Sequence, residues 1–310
     1  MDINKMENNH SETKLVGFIG VGAMGSGIVL NLLKSGYEVI TYDTSPSALE
    51  EVVSAGAQRA ASIADIGKKC RLIFLCLPTE QSVTQVVTSK NGLIQNLQKA
   101  SAIIDTSSIS ALTSKALANE VQSIGCHYLD APISGAPEGV RAGKMIYMVG
   151  ATNEAFALCD QILRDTSAHV YHMGGNGAGL ATKLSHNLAV FITMEAIMES
   201  IVLAERSGVD RDMYFDVLRT AAISRIMEVV LPRVARDRDS RVTDGHDPRH
   251  MNGVLEGALQ LGDKSGVPLP LGRRMQQLIE EGIQSGYGDT NIFSWWKLLE
   301  ERKIGLNHRV

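Results

Sequence analysis

Short runs of apolar residues alternate with longer segments of helical periodicity over the first half of the chain. The first run ends at Gly20, the segment behind it has helical spacing, and a second β-type run follows Gly36. A strand, a glycine turn, a helix and a strand within about thirty residues form a βαβ unit, and such units build parallel sheets. The pattern predicts strands at residues 15–19, 38–42, 71–76, 102–105, 127–130 and 144–149.

The pattern changes after about residue 175. One long helical pattern runs from Leu180 to Arg206, and the later segments 212–218, 255–261 and 273–283 also have helical periodicity. We therefore predict an α/β fold, in which a Rossmann-type doubly wound parallel sheet is followed by an all-helical domain. The predicted parts are a flexible tail (1–14), a dinucleotide-binding domain (15–175) and an all-α substrate or oligomerisation domain (176–310) that begins with a long interdomain helix.

Composition excludes several classes of protein. The 310 residues, 44% hydrophobic and 21% charged, are typical of a two-domain globular protein, and the net charge of −4 argues against nucleic acid as a partner. The longest apolar runs are shorter than the roughly 18–20 residues that cross a bilayer, and the polar start is not a secretory signal. Four cysteines without a CxxC pair predict free thiols in a reducing compartment, so we expect a cytoplasmic protein without a metal site.

A glycine-rich segment joins the first predicted strand to the first predicted helix. It reads Gly20-Val21-Gly22-Ala23-Met24-Gly25. In such a motif the first glycine allows a tight turn, the second lets the backbone approach a pyrophosphate, and the third packs the helix onto the sheet. The start of the helix adds N–H groups and the positive end of its dipole. Because the motif lies between a strand and a helix, we predict that it binds a dinucleotide.

Asp43 closes the second predicted strand about twenty residues later, at the position expected of a ribose-binding carboxylate. Its side chain would accept hydrogen bonds from both adenosine ribose hydroxyls and would repel a 2′-phosphate. The residues that follow, Thr44-Ser45-Pro46, bring no arginine to bind such a phosphate. NAD is therefore favoured over NADP. The alternative is that Asp43 only caps a helix or a turn.

Two further segments carry candidate chemistry. Residues 130–139 run from a strand end into a loop of small residues, whose N–H groups and Ser134 hydroxyl suit a carboxylate, although a plain βα turn is the alternative. Gly177-Ala178-Gly179 opens the long helix, on which Lys183 and Asn187 share one face with apolar residues. A lysine on the inner side of a buried helix loses hydration, which lowers its pKa towards use as a general acid or base. The alternative is a lysine that reaches solvent from the helix end.

Together these motifs resemble the signatures of the β-hydroxyacid dehydrogenase family, which includes 3-hydroxyisobutyrate dehydrogenase and tartronate semialdehyde reductase. The matching segments are 17–25 for the cofactor signature, 130–135 with 143 and 148–150 for the substrate signature, and 177–179 with Lys183 and Asn187 for the catalytic signature. Leu77-Pro78 and residues 105–108, with Ser108, resemble the family's loops that line the nicotinamide ribose and ring.

The resemblance implies hydride transfer between NAD(H) and a small β-hydroxy acid or its semialdehyde. Lys183 would be the general acid/base and Asn187 would hold the reacting oxygen, while Ser134, Gly135 and Ala136 would bind the substrate carboxylate. No metal is required. Family members also imply a homodimer or homotetramer built through the helical domain. The aromatic run at residues 291–299 is interpreted as domain core, with a subunit contact as the alternative.

Two segments depart from the family's pattern. Ala136 stands where a second glycine is usual, so its methyl group could crowd the carboxylate site. A Lys-Asp pair is usual upstream of segment 266–270, and counting back places Gly253 and Val254 there. Two alternatives therefore stay open: a catalytically impaired dinucleotide-binding scaffold, and a related reductase of imines or bulkier oxo acids, although the lysine position usually differs in imine-reducing relatives.

Overall fold

The computed structural model describes residues 15–206, 208–221, 247–266 and 268–295. The predicted tail at residues 1–14, Val267 in the segment 266–270, and residues 296–299 of the aromatic run lie outside this part of the chain. The chain forms two compact units, which are separated in sequence between Lys183 and Leu184. The domain boundary at residue 175 stays a prediction.

Among the described residues of the first unit, nine strands form one sheet. They are β1 (Leu15–Ile19), β2 (Glu38–Tyr42), β3 (Gln58–Arg59), β4 (Leu72–Leu75), β5 (Ala102–Asp105), β6 (His127–Asp130), β7 (Ile133–Ser134), β8 (Ile146–Gly150) and β9 (His169–Gly174). Strands β3-β2-β1-β4-β5-β6 lie side by side in that order, and all their pairings are parallel. This is the strand order of a doubly wound dinucleotide-binding sheet, so the predicted fold class is confirmed.

The far side of the sheet differs from a purely parallel arrangement. Strand β8 pairs antiparallel with β6 and β7, and β9 pairs parallel with β8. The pattern of apolar residues does not predict β3, β7 or β9. Strands β3 and β7 have only two residues each, and the side chains of β9 are partly or fully exposed, so none of them has the run of buried apolar residues that marks a strand in a sequence.

Helices cover both faces of the sheet in the first unit. They are α1 (Ala23–Lys34), α2 (Pro46–Ser54), α3 (Ile63–Lys69), α4 (Glu80–Thr88), α5 (Ala111–Ser123), α6 (Pro137–Arg141) and α7 (Asn153–Asp165). The strand side chains alternate between two cores: Val16 and Phe18 belong to one, whereas Ile19 and Ile73 belong to the other. Burial on both faces explains why the central strands are continuous apolar runs.

The long helix α8 (Ala178–Arg206) is followed by α9 (Arg211–Thr220), α10 (Pro248–Ser265), α11 (Pro270–Gly282) and short helical turns at Ile283–Tyr287 and Ile292–Trp295. The core of the second unit includes Met198, Ile279 and Trp295, all fully buried. The ring of Trp295 lies so close to Gly282 that a Cβ there would come within 2.8 Å of it. Trp295 therefore belongs to the core. None of the helices in the described ranges combines the length and apolar character that a membrane crossing requires.

Candidate active site

The predicted site residues of the first unit follow the carboxyl ends of the parallel strands. The glycine motif 20–25 follows β1, Asp43 follows β2, Leu77 and Pro78 follow β4, Ser108 follows β5, and Ser134, Gly135 and Ala136 lie in and after β7, four to six residues beyond the end of β6. Parallel strands present their carboxyl ends at one edge of a sheet, where ligands of doubly wound folds bind. The fold thus gathers these segments along a single edge.

The glycine turn between β1 and α1 is tightly packed at Gly20 and Gly25 and open at Gly22 and Ala23. Gly20 has a φ of +93°, and a Cβ there would overlap the carbonyl oxygen of Cys76, while a Cβ at Gly25 would overlap the carbonyl oxygen of Gly20. A Cβ at Gly22 would meet no atom within 4 Å, and Gly22 and Ala23 are exposed. Among the described side chains none caps the start of α1. These features fit a dinucleotide pyrophosphate, which needs free N–H groups and close approach to the backbone.

Asp43 joins two of the loops along this edge. Its Oδ2 accepts a hydrogen bond from the N–H of Val21 at 2.8 Å, and its Oδ1 accepts one from the N–H of Ser45 at 2.8 Å. The carboxylate therefore does cap a turn, as the alternative interpretation expected. A carboxylate oxygen can accept more than one hydrogen bond, so the same side chain retains acceptor capacity for ribose hydroxyls.

The two loops that resemble a nicotinamide site are connected to a buried carboxylate. The N–H of Leu77 donates to Ser107 Oγ at 2.9 Å, and the N–H of Ser107 donates to Asp105 Oδ1 at 2.9 Å. The hydroxyl of Tyr128 donates to Asp105 Oδ2 at 2.6 Å. Burial raises the pKa of Asp105 to about 6, although the hydrogen bonds from Ser107 and Tyr128 oppose the rise. Asp105 thus anchors the loops that carry Leu77 and Ser108.

The loop after β6 bends at a glycine that no other residue could replace without strain. Gly135 has a φ of +153°. Ala136 has a φ of −76° and precedes α6, a conformation that any residue adopts, so the departure from a second glycine places no strain on the backbone. Gly135 is exposed, and Ser134 and Ala136 are partly exposed. The loop can therefore present its hydroxyl and N–H groups to a carboxylate.

The start of α8 is packed against the carboxyl end of β6. Gly177 has a φ of +89°, and a Cβ at Gly179 would overlap the carbonyl oxygen of Met148. The N–H groups of Gly177 and Leu180 donate to Asp130 Oδ1 and Oδ2 at 2.7 and 2.9 Å. Burial raises the pKa of Asp130 to about 6, against the lowering effect of these hydrogen bonds. The glycines of this motif therefore let the helix begin close to the strand.

Lys183 lies six residues beyond Gly177 on α8 and is partly buried. Loss of hydration through burial lowers the pKa of its amine to about 8. Asn187, one turn further along the helix, is partly buried too, and its Oδ1 lies 3.3 Å from Nδ1 of His186, which is exposed. The lowered pKa is the property expected of a general acid/base at this position.

The positions of the usual Lys-Asp pair lie on α10. Val254 is buried in a small cluster with Leu184 and Ala258, and a Cβ at Gly253 would meet no atom within 4 Å. Nearby Arg249 forms an ion pair with Asp289 at 3.2 Å. The side chain of Val254 therefore has a packing role on α10.

Asp105 and Asp130 were not predicted as site residues. Each is a single carboxylate at the end of a buried apolar strand, in the sequences Ala-Ile-Ile-Asp and His-Tyr-Leu-Asp, and that placement is the signal available in the sequence. Their hydrogen-bond partners are up to 50 residues away along the chain. Within the described residues no group of three or more His, Cys, Asp or Glu side chains is arranged to hold a metal ion.

Comparisons with known proteins agree with this geometry. A family model described as the NAD binding domain of 6-phosphogluconate dehydrogenase matches residues 15–175. A second, described as "NAD-binding of NADP-dependent 3-hydroxyisobutyrate dehydrogenase", matches residues 177–299.

Two curated relatives and one solved structure illustrate the similarity. Mitochondrial 3-hydroxyisobutyrate dehydrogenase of Bos taurus is 37% identical over 207 residues, which are 67% of this chain and 62% of the relative, so the match spans less than two thirds of that protein. 2-(Hydroxymethyl)glutarate dehydrogenase of Eubacterium barkeri is 30% identical over 92% of this chain and 95% of its own length. A structure of Mycobacterium tuberculosis 3-hydroxyisobutyrate dehydrogenase with L-serine superposes with a TM-score of 0.82 over 93% of this chain and 99% of that one, at 24% identity.

Proposed function

Because the chain belongs to the β-hydroxyacid dehydrogenase family, of the 3-hydroxyisobutyrate dehydrogenase type, we propose that it transfers a hydride between NAD(H) and a small β-hydroxy acid or its semialdehyde. The bound nicotinamide would supply the redox chemistry by accepting or donating the hydride. The chain's own residues would bind the two reactants, orient them and move the proton.

The observation that carries the proposal is the amine of Lys183, whose pKa burial lowers to about 8. In the oxidative direction the neutral amine takes the hydroxyl proton as the carbinol C–H bond breaks and the C=O bond forms. In the reductive direction the ammonium form returns that proton to the oxygen. A pKa near 8 keeps both forms populated near neutral pH, which is what a reversible proton transfer requires.

Four further groups of the chain have supporting roles in the proposal. Asn187 would hold the reacting oxygen, and Ser134 with the N–H groups of Gly135 and Ala136 would bind the substrate carboxylate. Ala136 has an extended backbone that any residue adopts, so its methyl group requires no unusual conformation of this loop. A carboxylate bound by fixed N–H donors would keep the carbinol carbon in one orientation.

We propose NAD rather than NADP as the cofactor. Asp43 ends β2 with a carboxylate held in place by the N–H groups of Val21 and Ser45. That fixed negative charge suits ribose hydroxyls and opposes a 2′-phosphate. The exposed Thr44 beside it brings no positive charge.

The test is turnover of a panel of acids by the wild type and by Lys183→Ala. The panel contains 3-hydroxyisobutyrate, 2-(hydroxymethyl)glutarate and L-serine, chosen from the names of the relatives, together with the semialdehyde of 3-hydroxyisobutyrate. We expect turnover of at least one member with NAD(H), and a loss on the order of 100- to 10,000-fold in Lys183→Ala with NADH affinity unchanged. The exposed Lys90→Ala serves as the matched control and should keep full activity.

Two results would contradict this proposal. Tight NADH binding without turnover of any panel member would favour a dinucleotide-binding scaffold. Turnover that survives in Lys183→Ala would remove the lysine from the mechanism.

We also propose that the protein is a cytoplasmic homodimer or homotetramer formed through its helical region. Val209, Met213 and Val217 are spaced by four residues along α9 and its approach, and they are 45%, 70% and 55% exposed. An exposed apolar stripe of this kind favours self-association. Sedimentation equilibrium should show an oligomer that Met213→Glu weakens, whereas a wild-type monomer would contradict this part of the proposal.

A further inference from the structure

Asp130 lies beneath the start of the helix that carries Lys183. Its buried carboxylate accepts the N–H of Gly177 at 2.7 Å and the N–H of Leu180 at 2.9 Å. The first N–H groups of an α-helix have no acceptor within the helix, and Gly177 has no side chain to supply one. A carboxylate from a distant strand therefore does here what an N-cap side chain does elsewhere, and its charge opposes the positive end of the helix dipole.

Neighbouring residues pack tightly against Asp130 and the start of α8. A Cβ at Gly150 would lie 2.6 Å from both carboxylate oxygens of Asp130, so only glycine leaves room for them. A Cβ at Gly179 would lie 2.7 Å from the carbonyl oxygen of Asp130. The Asn176 side chain, just before the helix, donates to the carbonyl oxygen of Tyr128 at 2.6 Å. Gly177 and the first residues of α8 (together residues 177–180) are thus fixed against the end of β6.

Asp130 also stands at the junction of two parts of the proposed site. Lys183 is three residues beyond Leu180, less than one helical turn, so fixing the first turn fixes the direction in which the lysine leaves the helix. Ser134 is four residues beyond Asp130 along the chain. The same carboxylate therefore connects the proposed substrate-binding loop to the proposed general acid/base.

We propose that Asp130 is a positioning residue for Lys183: by holding residues 177–180 against β6, it keeps the lysine amine in its partly buried place. This inference rests on the proposed function, in which Lys183 moves the proton. It gives Asp130 no contact with substrate or cofactor.

The neighbouring strand supplies a matched control. Asp105 is the register partner of Asp130 on β5 and is also buried, but its carboxylate accepts hydrogen bonds from Ser107 and Tyr128 and none from α8. Asp105→Asn and Asp130→Asn therefore each remove one buried negative charge. The first charge anchors the loops that carry Leu77 and Ser108, and the second holds the start of α8. Only Asp130→Asn should affect Lys183.

The first test measures Lys183 itself and needs no substrate. Competitive labelling with acetic anhydride across pH, read by mass spectrometry, gives the midpoint at which the amine becomes reactive. We expect a midpoint near 8 in the wild type. In Asp130→Asn the loosened turn admits water, and the midpoint should rise by about one unit or more towards the roughly 10.4 of a hydrated lysine. In Asp105→Asn it should stay at the wild-type value.

The second test uses turnover. Asp130→Asn should lower kcat on the order of 100-fold, because a small displacement of a catalytic group is costly, while the Kd for NADH changes by less than about twofold. In a Lys183→Ala background the same substitution should cause no further loss, since a residue that acts through Lys183 has nothing left to position.

An unchanged labelling midpoint in folded Asp130→Asn, or a full additional loss of turnover in the Lys183→Ala background, would overturn the inference. Should Asp130→Asn not fold, Asn176→Ala loosens the same turn from its other side, and the midpoint should rise by a smaller amount; no rise would also overturn it. If Lys183→Ala retains turnover, the proposed function fails, while the labelling result still decides whether Asp130 positions the lysine.

Discussion

Helices α1 and α8 begin alike in the sequence, at two glycines separated by one residue, but the structure surrounds the two starts differently. At α1 a Cβ on Gly22 would meet nothing within 4 Å, and no described side chain caps the first turn. At α8 a Cβ on Gly177, which precedes its helix as Gly22 does, would lie 2.6 Å from the Lys115 side chain, and the carboxylate of Asp130 accepts two of the first N–H groups. We call the start of α1 at Gly22 the open start, and the start of α8 at residues 177–179 the filled start.

The difference shows that a glycine-rich helix start has two uses. Both starts offer N–H groups and a positive dipole end to an anion. At α1 the anion has to come from outside, which suits a dinucleotide phosphate. At α8 the protein supplies its own anion, and the glycines allow strand and helix to meet. Substitutions at the two starts should therefore separate ligand binding from stability.

The largest expected effect is on stability, at the filled start. Gly179→Ala forces a methyl group into the backbone of β8 and should reduce the free energy of unfolding by about 3 kcal/mol, the upper range for an overpacked site. Urea unfolding followed by circular dichroism measures it. Gly175→Ala is the control, because a Cβ there meets no atom within 4 Å, and its change should stay within about 0.5 kcal/mol. Equal stability of the two variants would refute the tight contact.

The next effect is on binding, at the open start. Gly22→Ala should leave the free energy of unfolding within about 0.5 kcal/mol of the wild type, because its Cβ extends into open space. The same methyl group should obstruct the approach of a pyrophosphate and raise the Kd for NADH about 10- to 100-fold, or about 1.4–2.8 kcal/mol. Calorimetric titration measures the Kd, with Gly175→Ala again as the control. A wild-type Kd in Gly22→Ala would mean that the cofactor phosphates bind elsewhere.

A smaller effect concerns the choice of cofactor beside the open start. Asp43→Asn removes the negative charge that opposes a 2′-phosphate, so the preference for NADH over NADPH should fall about tenfold, or about 1.4 kcal/mol. Glu38→Gln is the matched control, because this exposed carboxylate lies at the opposite end of the same strand and should leave the preference unchanged. The preference is read from paired titrations with NADH and NADPH. No change in Asp43→Asn would assign the selectivity to another group.

The smallest effect is the pH dependence of the filled start. Burial raises the pKa of Asp130 from 3.8 to about 6, so the folded protein binds the extra proton between those values. The contribution of this group to the free energy of unfolding is therefore greatest below pH 4 and is lost as the pH rises through 6. Between pH 5 and pH 7 the loss is about 1 kcal/mol. Asp130→Asn should reduce the difference between the free energies of unfolding measured with urea at pH 5 and at pH 7 by that amount. Asp212→Asn, at an exposed position of α9, should not reduce it, and an identical difference in all three proteins would contradict the buried charge.

The sequence predicted the central strands of the sheet because they are buried on both faces. Runs such as residues 15–19 and 102–105 are apolar throughout, and the structure finds strands there. It did not predict β9, whose residues are partly or fully exposed, nor the antiparallel direction of β8, because periodicity carries no information about direction.

The candidate site divides in the same way. The glycine motif and Lys183 could be singled out from local spacing. The partners of Asp130 and Asp105 could not, because the hydrogen bonds that give these carboxylates their roles join residues 47–50 and 23 positions apart. Only the folded sheet brings those segments together.

Hydride transfer can be tested most directly with the acid of the panel that turns over, prepared with every hydrogen on its carbinol carbon replaced by deuterium. The labelled acid is mixed with NAD and the wild-type protein, and the NADH formed is analysed by mass spectrometry. We expect one deuterium in each NADH, formation slowed by the label, and NADH formation slower by on the order of 100- to 10,000-fold with Lys183→Ala. NADH without deuterium, or equal formation by Lys183→Ala, would contradict this mechanism.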